Sequence, residues 1–185
     1  MSDLTLILQA VGRGDEKSSE KLLPLVYAEL RQLAAMRMAR DAAGQTLQPT
    51  ALVHEAWLRL VNEGDRTWNN RAHFFRAAAL AMRRILVDRA RNKSSLKRGG
   101  GRERVNIEDV ELAASSTDDR VLLVDEAVTR LEAEDPESAR VVTLKFFGGL
   151  TNKEVAESLG VTERTVERQW AYAKACLFQI IRETA

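Results

Sequence analysis

The side chains that most often carry out catalysis are scarce in this sequence. It contains two histidines, His54 and His73, a single cysteine, Cys176, and no cluster of metal-ligand residues. Its glycine-rich string, RGGGRE, follows a predicted helix rather than a strand and makes a poor phosphate-binding loop. Cys176 can form no intramolecular disulfide, and its expected role is packing. We therefore expect no enzymatic activity, no metal and no other cofactor.

Charged residues are distributed unevenly along the chain. Residues 66–104 contain 12 Lys and Arg against 2 Asp and Glu, residues 105–137 contain 2 against 11, and residues 138–185 contain 7 against 5. The three segments therefore carry +10, −9 and +2, although the whole chain carries only +1. A basic block followed by an acidic block is typical of proteins that bind nucleic acid. A helix face that is merely solvated by basic side chains is the alternative.

The string LTNKEVAESLGVTERTVERQW, residues 150–170, predicts two short helices joined by a tight turn. Thr151 and Glu154 have the spacing of a capping box, Gly160 stands where a left-handed residue ends a helix, and Thr162 is a second N-cap. Such a helix–turn–helix places the N-terminal part of its second helix in the major groove of DNA. The exposed early positions of that helix are expected to be Glu163, Arg164, Glu167 and Arg168.

Helical spacing of apolar residues runs through nearly the whole chain, and proline occurs only at positions 24, 49 and 136. Pro24 is expected in the first turn of the second helix. A long helix over residues 71–98 carries an apolar face and a strongly basic face, and the glycines at 99–101 begin a tether. The sequence thus predicts an all-α fold with two helical domains, 1–98 and 120–185, joined by a flexible linker over 99–119. It shows neither a signal peptide nor a membrane span.

Four strings in combination carry a family resemblance: LQPTALVHEAWLRLV, WNNRAHFFRAAALAMRRILVDRARNK, KRGGGRERV and VVTLKFFGGLTNKEVAESLGVTERTVERQW. Together they resemble bacterial sigma factors of the extracytoplasmic-function (ECF) class, over nearly the whole length. The resemblance implies a region 2 bundle over 1–98 that binds core RNA polymerase and opens the −10 promoter element. It implies a region 4 helix–turn–helix over 120–185 that reads the −35 element.

The resemblance also assigns residues to these roles. On the segment that grips the β′ clamp helices of polymerase it implies Leu52, Val53, His54, Glu55, Trp57, Leu58 and Arg59. For the −10 element it implies Trp68, Asn69, Asn70, Arg71, His73, Phe74, Arg76, Arg83, Arg84, Arg89 and Arg91. For the −35 element it implies Thr162, Arg164, Thr165, Glu167, Arg168, Ala171 and Tyr172.

Several of these assignments have alternatives that the residues leave open. Trp68 fits a base-stacking residue and a buried lid equally well, and Asp88, an acidic residue in a basic run, has the spacing to pair with Arg84. Glu167 stands where the class commonly has a basic residue, so a −35 preference different from that of better-known relatives is expected. The acidic linker fits a mimic of RNA in the exit channel of polymerase and also a solvated tether.

The function expected from the resemblance is that of a cytoplasmic, non-enzymatic sigma factor. Its partners would be core RNA polymerase, through the β′ clamp helices and the β flap, and promoter DNA. An anti-sigma factor is a further partner that the class allows; a membrane and a small-molecule substrate are not expected. The alternative is a stand-alone helix–turn–helix regulator with an N-terminal sensor or dimerisation domain, in which a basic, aromatic helix at 71–98 would have no evident use.

Overall fold

The computed structural model describes residues 3–38, 48–62, 68, 70–96 and 117–184 of the 185-residue chain. Within these ranges every regular element is helical, which confirms the all-α class. The elements are α1 (Asp3–Gly12), α2 (Glu16–Met38), α3 (Pro49–Asn62), α4 (Arg71–Leu96), α5 (Thr117–Glu134), α6 (Pro136–Val142), a π-helical segment (Thr143–Phe147), α7 (Asn152–Leu159) and α8 (Glu163–Thr184). None of the described helices is long and apolar enough to cross a membrane.

Helices α1 to α4 form a bundle around the apolar faces that their spacing predicts. Helix α1 packs on α2, α2 on α3, and α3 on α4. Because the apolar residues recur every three or four positions, each helix turns one continuous stripe toward its neighbours. Completely buried members of this core are Leu8, Leu22, Val26, Leu30, Leu52, Val53, Phe74 and Ile85.

Helix α2 begins earlier than the position of its proline suggested. Asp15 caps the helix, because its carboxylate accepts hydrogen bonds from the backbone N–H of Lys17 (3.1 Å) and the hydroxyl of Ser18 (2.6 Å). Pro24 therefore lies inside α2 and not in its first turn, which corrects the sequence-based expectation. Pro24 is exposed, so water can replace the helical hydrogen bond that proline lacks.

The second group of elements, α5 to α8, forms a smaller bundle in which α5, α6 and α8 contact one another. Asp135 caps α6 by accepting a hydrogen bond from the backbone N–H of Ser138 (3.1 Å). The chain leaves the π-helical segment at Gly148 and Gly149, and Gly149 has a φ of 71°, in the left-handed region. The glycine pair thus ends the helical segment that begins at Pro136.

The two groups of helices pack against each other along α4. Helix α4 contacts α5, the π-helical segment and α7 on one side while it contacts α3 on the other. Gly148 marks a close approach, because a Cβ atom there would lie 2.7 Å from Cβ of Ala79. Residues 97–116, most of the predicted linker, lie outside the described ranges. Helix α5 already begins at Thr117, before the expected linker end at 119, with Asp118 and Asp119 in its first turn, where acidic residues are favourable.

Candidate nucleic-acid and polymerase interfaces

The predicted helix–turn–helix is formed by α7, a turn at Gly160 and α8. The backbone N–H of Thr151 donates to the Glu154 carboxylate (2.8 Å), and the backbone N–H of Glu154 donates to the Thr151 hydroxyl (3.3 Å). Gly160 has a φ of 68°, and the Thr162 hydroxyl accepts from the backbone N–H of Thr165 (3.2 Å). The capping box, the left-handed glycine and the second N-cap are therefore all confirmed.

The first turns of α8 present a polar face to solvent, because Val166 and Ala173 turn the opposite face into the core. Thr165 is half-buried and shares a hydrogen bond with Thr162 (2.9 Å). The structure thus places six of the seven residues expected at the −35 element in the first three turns of α8, and the seventh, Thr162, caps the start of that helix. The exposed ones are Thr162, Arg164, Glu167, Arg168, Ala171 and Tyr172.

Two aromatic residues of α8 have contrasting surroundings. Tyr172 is 55% exposed, and its hydrogen bond with Cys176 raises its pKa above the ordinary value, so the phenol is neutral at physiological pH. Trp170 is half-buried, with the ammonium groups of Lys145 and Lys174 at 5.3 and 5.8 Å from its ring centroid. Trp170 therefore packs against the core, while Tyr172 stays on the outer face of the helix.

The aromatic residues expected to hold an unstacked base lie in the protein core. Trp68 is 2% exposed and packs edge-on against Phe74, with ring centroids 5.2 Å apart, and Phe74 is completely buried. Of the two open readings of Trp68, the buried lid is the one that this arrangement shows. Neither ring is available to a base in this arrangement, and the contact of Trp68 and Phe74 with an unstacked base stays a prediction. Asn69 lies outside the described residues.

The polar residues at the start of α4 have structural partners of their own. The Asn70 side chain caps α4 by accepting from the backbone N–H of His73 (2.8 Å), and His73 is half-buried. Arg71 is exposed, forms an ion pair with Glu29 of α2 and lies over the ring of Phe75 at 5.0 Å. Asn70 and Arg71 remain at the surface, so of the aromatic and polar set they are the ones best placed to meet DNA.

Two arginines expected to line DNA are engaged by the second group of helices. Arg76 donates to the backbone carbonyl of Ser158 in α7 (2.5 Å). Arg83 is 11% exposed and donates to the carboxylates of Asp125 and Glu132 (2.8 Å each) and to the hydroxyl of Thr129 (3.1 Å). Its guanidinium also lies 5.5 Å from the ring centroid of Phe147. The contact of Arg83 with DNA is therefore blocked in this arrangement.

The remaining arginines of α4 are exposed. Arg91 lies 3.4 Å from the Asp125 carboxylate, and Arg89 donates to Glu55 of α3 (2.8 Å). Arg84 has no ion pair among the parts of the chain that the structure describes. The set expected to act together is thus divided between a surface group, Arg84, Arg89 and Arg91, and an interface group, Arg76 and Arg83.

The expected polymerase-binding residues on helix α3 also fall into a buried group and an outward-facing group. Leu52, Val53 and Trp57 are 0%, 0% and 9% exposed, so they belong to the core in this structure, and their contact with polymerase stays a prediction. Leu58 is 45% exposed. The outward group consists of His54, Glu55, Leu58 and Arg59.

An ion-pair network joins α3 and α4. Arg59 bonds the Asp88 carboxylate at 2.9 Å and approaches Glu55 at 3.7 Å, and Glu55 also pairs with Arg89. Asp88 therefore pairs across the bundle and not with Arg84, as its spacing had suggested. Arg59 of α3 lies within hydrogen-bond distance of Asp88, and the spacing of residues along α4 alone could not reveal this partner.

The carboxylates that bind α4 are the features that sequence reasoning missed. Asp125, Glu132 and Asp118 appeared only as members of an acidic block, although Asp125 binds two arginines and Asp118 binds Lys93 at 2.8 Å. The opposite charges of the two blocks were the available signal. Among the residues with described coordinates, no group of three His, Cys, Asp or Glu side chains could hold a metal ion.

The chain was also compared with known proteins. A search of curated sequences gives no match. A family model described as ECF sigma factor matches residues 1–183 of the 185. This match covers the helix–turn–helix, the basic helix α4 and the helix α3 that precedes it. The chain therefore belongs to the ECF sigma factor family.

Proposed function

We propose that this sigma factor binds core RNA polymerase through α3, reads the −35 element through α8 and engages the −10 element through α4, where it helps to open the DNA. Membership of the family carries the general role in transcription initiation. The finer assignments rest on which side chains the helices expose. A sigma factor of this kind would act in the cytoplasm without catalysing a reaction itself, and an anti-sigma factor is a further partner.

The observation that carries the −35 assignment is the single exposed face at the start of α8. A helix that follows a tight turn can enter the major groove with its N-terminal residues against base edges. Arg164 and Arg168 would pair with guanine edges or phosphates, and Glu167 would accept a hydrogen bond from cytosine. Because a carboxylate repels phosphate, Glu167 is expected to restrict the bases tolerated at one position.

The −10 assignment rests on the basic surface of α4. Arg84, Arg89 and Arg91 are exposed on one helix and would bind phosphates, which supplies affinity without reading sequence. Asn70 would offer an amide to an unpaired base, with His73 beside it, and Asn69 remains a predicted contact. Trp68 and Phe74 would take part only after leaving the core, so we assign them a supporting role beneath this surface.

The polymerase assignment rests on the outward side of α3. His54, Glu55, Leu58 and Arg59 combine one large apolar side chain with charged groups, and such a face suits docking onto another helix pair, here the β′ clamp helices. Leu52, Val53 and Trp57 would hold this face in position from within the core. The β flap would contact residues 120–185.

A pair of leucine variants tests the polymerase assignment. Leu58→Asp places a charge in the centre of the proposed interface and should weaken binding to core polymerase about tenfold or more. Leu6→Asp is the matched control, because Leu6 of α1 is 51% exposed and lies outside the proposed face. Affinity is measured by fluorescence anisotropy of the labelled chain. Equal affinity of the two variants for polymerase would contradict the assignment.

Binding without polymerase separates this function from that of a stand-alone regulator. The purified chain alone should bind promoter fragments weakly, because each half reads only part of the site. In gel-shift experiments, core polymerase should convert this weak binding into a stable complex. Tight binding of a palindrome by a dimer without polymerase would favour the regulator.

A further inference from the structure

Glu167 is an exposed carboxylate in the second turn of α8, and its charge has no counterpart in the fold. Arg164 and Arg168 lie within one helical turn of it, yet Glu167 forms no ion pair within the described part of the chain. Lys174, two turns further along, places its ammonium group 5.8 Å from the ring centroid of Trp170. The carboxylate of Glu167 is therefore free to accept hydrogen bonds from a ligand.

The position of Glu167 does not stabilise the helix. Glu163, four residues earlier, carries the same charge on the same side of α8, and like charges at this spacing destabilise a helix. Glu163 itself lies in the first turn, where a negative charge interacts favourably with the helix dipole, but this effect fades beyond that turn. A contact outside the chain therefore explains the charge of Glu167 better than stability does.

The backbone beneath Glu167 is held in place by the core and by a neighbouring helix. Val166 is completely buried, and Trp170 is half-buried and packs against the core. The side-chain amide of Gln169 donates a hydrogen bond to the carboxylate of Glu137 in α6 (3.3 Å). Because the helix is fixed, only the side chain of Glu167 has to be ordered on binding, so its carboxylate can select a donor at a defined position.

A carboxylate only accepts hydrogen bonds, and this restricts the base that it can read. Guanine presents only acceptors in the major groove, thymine presents an acceptor and a methyl group, and adenine places the acceptor N7 beside its amine. Cytosine presents the N4 amine as a donor without a neighbouring acceptor, so it matches a carboxylate best. Its partner guanine presents two acceptors that match an arginine.

Arg164 and Glu167 are placed to bind the two bases of one pair. Residues three positions apart on a helix have Cβ atoms about 5–6 Å apart, so both side chains can reach neighbouring groups of the same base pair. We propose that Arg164 and Glu167 together read one G·C base pair of the −35 element, and that Glu167 requires the groove-facing hydrogen of the cytosine N4 amine. This inference rests on the proposed −35 role of α8.

The proposal makes promoter binding sensitive to one kind of cytosine methylation. A paired cytosine uses one hydrogen of its N4 amine to bind guanine, and the other hydrogen points into the major groove. A methyl group on N4 must take the groove-facing position if the base pair is to persist, so it removes the donor that Glu167 needs. A methyl group on C5 leaves that donor in place. Methylation of N4, and not of C5, should therefore weaken recognition.

Selection from randomised DNA tests the proposal with the full-length chain bound to core polymerase. Fragments with a randomised upstream segment are incubated with the complex, and the bound fragments are sequenced. We expect the wild-type complex to enrich an upstream element with one fixed G·C position. Glu167→Gln should shift this position towards A·T, because glutamine pairs with N6 and N7 of adenine. Glu157→Gln is the matched control, since Glu157 is an exposed carboxylate of α7 outside the proposed −35 set.

Two modified fragments then test the contact itself. N4-methylcytosine at the fixed position should weaken binding of the wild-type complex about tenfold or more, whereas 5-methylcytosine at the same position should leave binding unchanged. The Glu167→Gln complex should lose this discrimination. Thermal unfolding of the free chain is the stability control, and Glu167→Gln should melt no lower than the wild-type protein because the variant removes the like-charge pair with Glu163.

The possible outcomes separate this inference from the proposed function. The inference would be overturned by an enriched element in which no position depends on Glu167, by equal shifts for Glu157→Gln and Glu167→Gln, or by equal losses with the two modified cytosines. In each of these cases the −35 role of α8 would stand. A lower melting temperature of Glu167→Gln would indicate a structural role and also count against the inference. The absence of any enriched upstream element would overturn the −35 role itself.

Discussion

Replacement of Arg83 by alanine should destabilise the folded chain far more than replacement of its neighbour Arg84. Arg83 makes charged hydrogen bonds to Asp125 and Glu132, a bond to Thr129 and a cation–π contact with Phe147, at 11% exposure. A hydrogen bond to a charged group contributes about 1.5–3 kcal/mol. The variant would also leave Asp125 largely buried with only the longer contact to Arg91.

The expected loss of unfolding free energy is about 2–3 kcal/mol, below the full cost of breaking a wholly buried pair because Glu132 is 46% exposed. For a chain of this length, each kcal/mol lowers the melting temperature by roughly 2–4 °C. Arg83→Ala should therefore melt about 4–12 °C below the wild-type protein in a thermal scan followed by circular dichroism.

Arg84→Ala is the matched control for this prediction. Arg84 lies one residue further along α4, carries the same charge and is exposed, so its removal should change the free energy by less than about 0.5 kcal/mol. Arg83→Lys should give an intermediate result, because lysine keeps the charge but lacks the planar fork of donors. Equal melting temperatures of Arg83→Ala and Arg84→Ala would refute the account of the contact between α4 and α5.

Three further predictions follow from individual contacts. Arg168→Ala should reduce transcription selectively, costing about 1–3 kcal/mol at promoters whose −35 base it pairs with and little elsewhere; equal losses on a panel of promoters would contradict the assignment. Gly148→Ala should lower the free energy of unfolding in urea by about 1–3 kcal/mol, because the added Cβ would lie 2.7 Å from Cβ of Ala79 and from the backbone carbonyl oxygen of Leu144. Unchanged stability would show that this close contact between α4 and the π-helical segment adds nothing to the stability of the fold. Hydrogen bonds from the hydroxyl of Ser138 and then from its backbone N–H lower the pKa of Asp135, so the carboxylate stabilises the fold fully above the unfolded pKa of about 3.9 and loses this effect as pH falls through the folded pKa. Asp135→Asn should therefore lose less stability than the wild-type protein as pH falls below about 4. Urea midpoints of the two proteins that run parallel from about pH 3 to 6 would contradict this.

Local rules in the sequence were sufficient for the helix–turn–helix. The capping box at Thr151, the left-handed Gly160 and the second cap at Thr162 each depend on residues within three or four positions, and all three are present. The apolar face of α4 was predictable for the same reason, and its members Ala78 and Met82 are buried. Short-range periodicity determines such features almost completely.

The second buried side of α4 could not be predicted from periodicity. Arg83 reads as a solvent-facing residue in the pattern, yet Asp125, 42 positions later, binds it at the interface. Ala79 and Val87 are also buried, on a helix that contacts α5 and the π-helical segment. Complementary charge between the two blocks indicated attraction but not which residues would meet.

Burial also changed the meaning of several candidate site residues. Trp57, Trp68 and Phe74 have the chemistry for binding a partner or stacking on a base, and the structure places all three inside. Residue type alone cannot separate these roles, because the same large apolar surface that stacks on a base also stabilises a core when neighbouring helices cover it. The remaining exposed set is smaller and more polar than the set expected from the sequence.

Run-off transcription with core polymerase tests the central claim most directly. The purified chain is added to core enzyme that contains no other sigma factor, fragmented genomic DNA of the host serves as template, and the 5′ ends of the transcripts are sequenced. We predict a limited set of discrete start sites that share two upstream sequence elements at constant spacing. Transcripts no more numerous or discrete than those from core enzyme alone, with the chain folded by circular dichroism, would contradict the account.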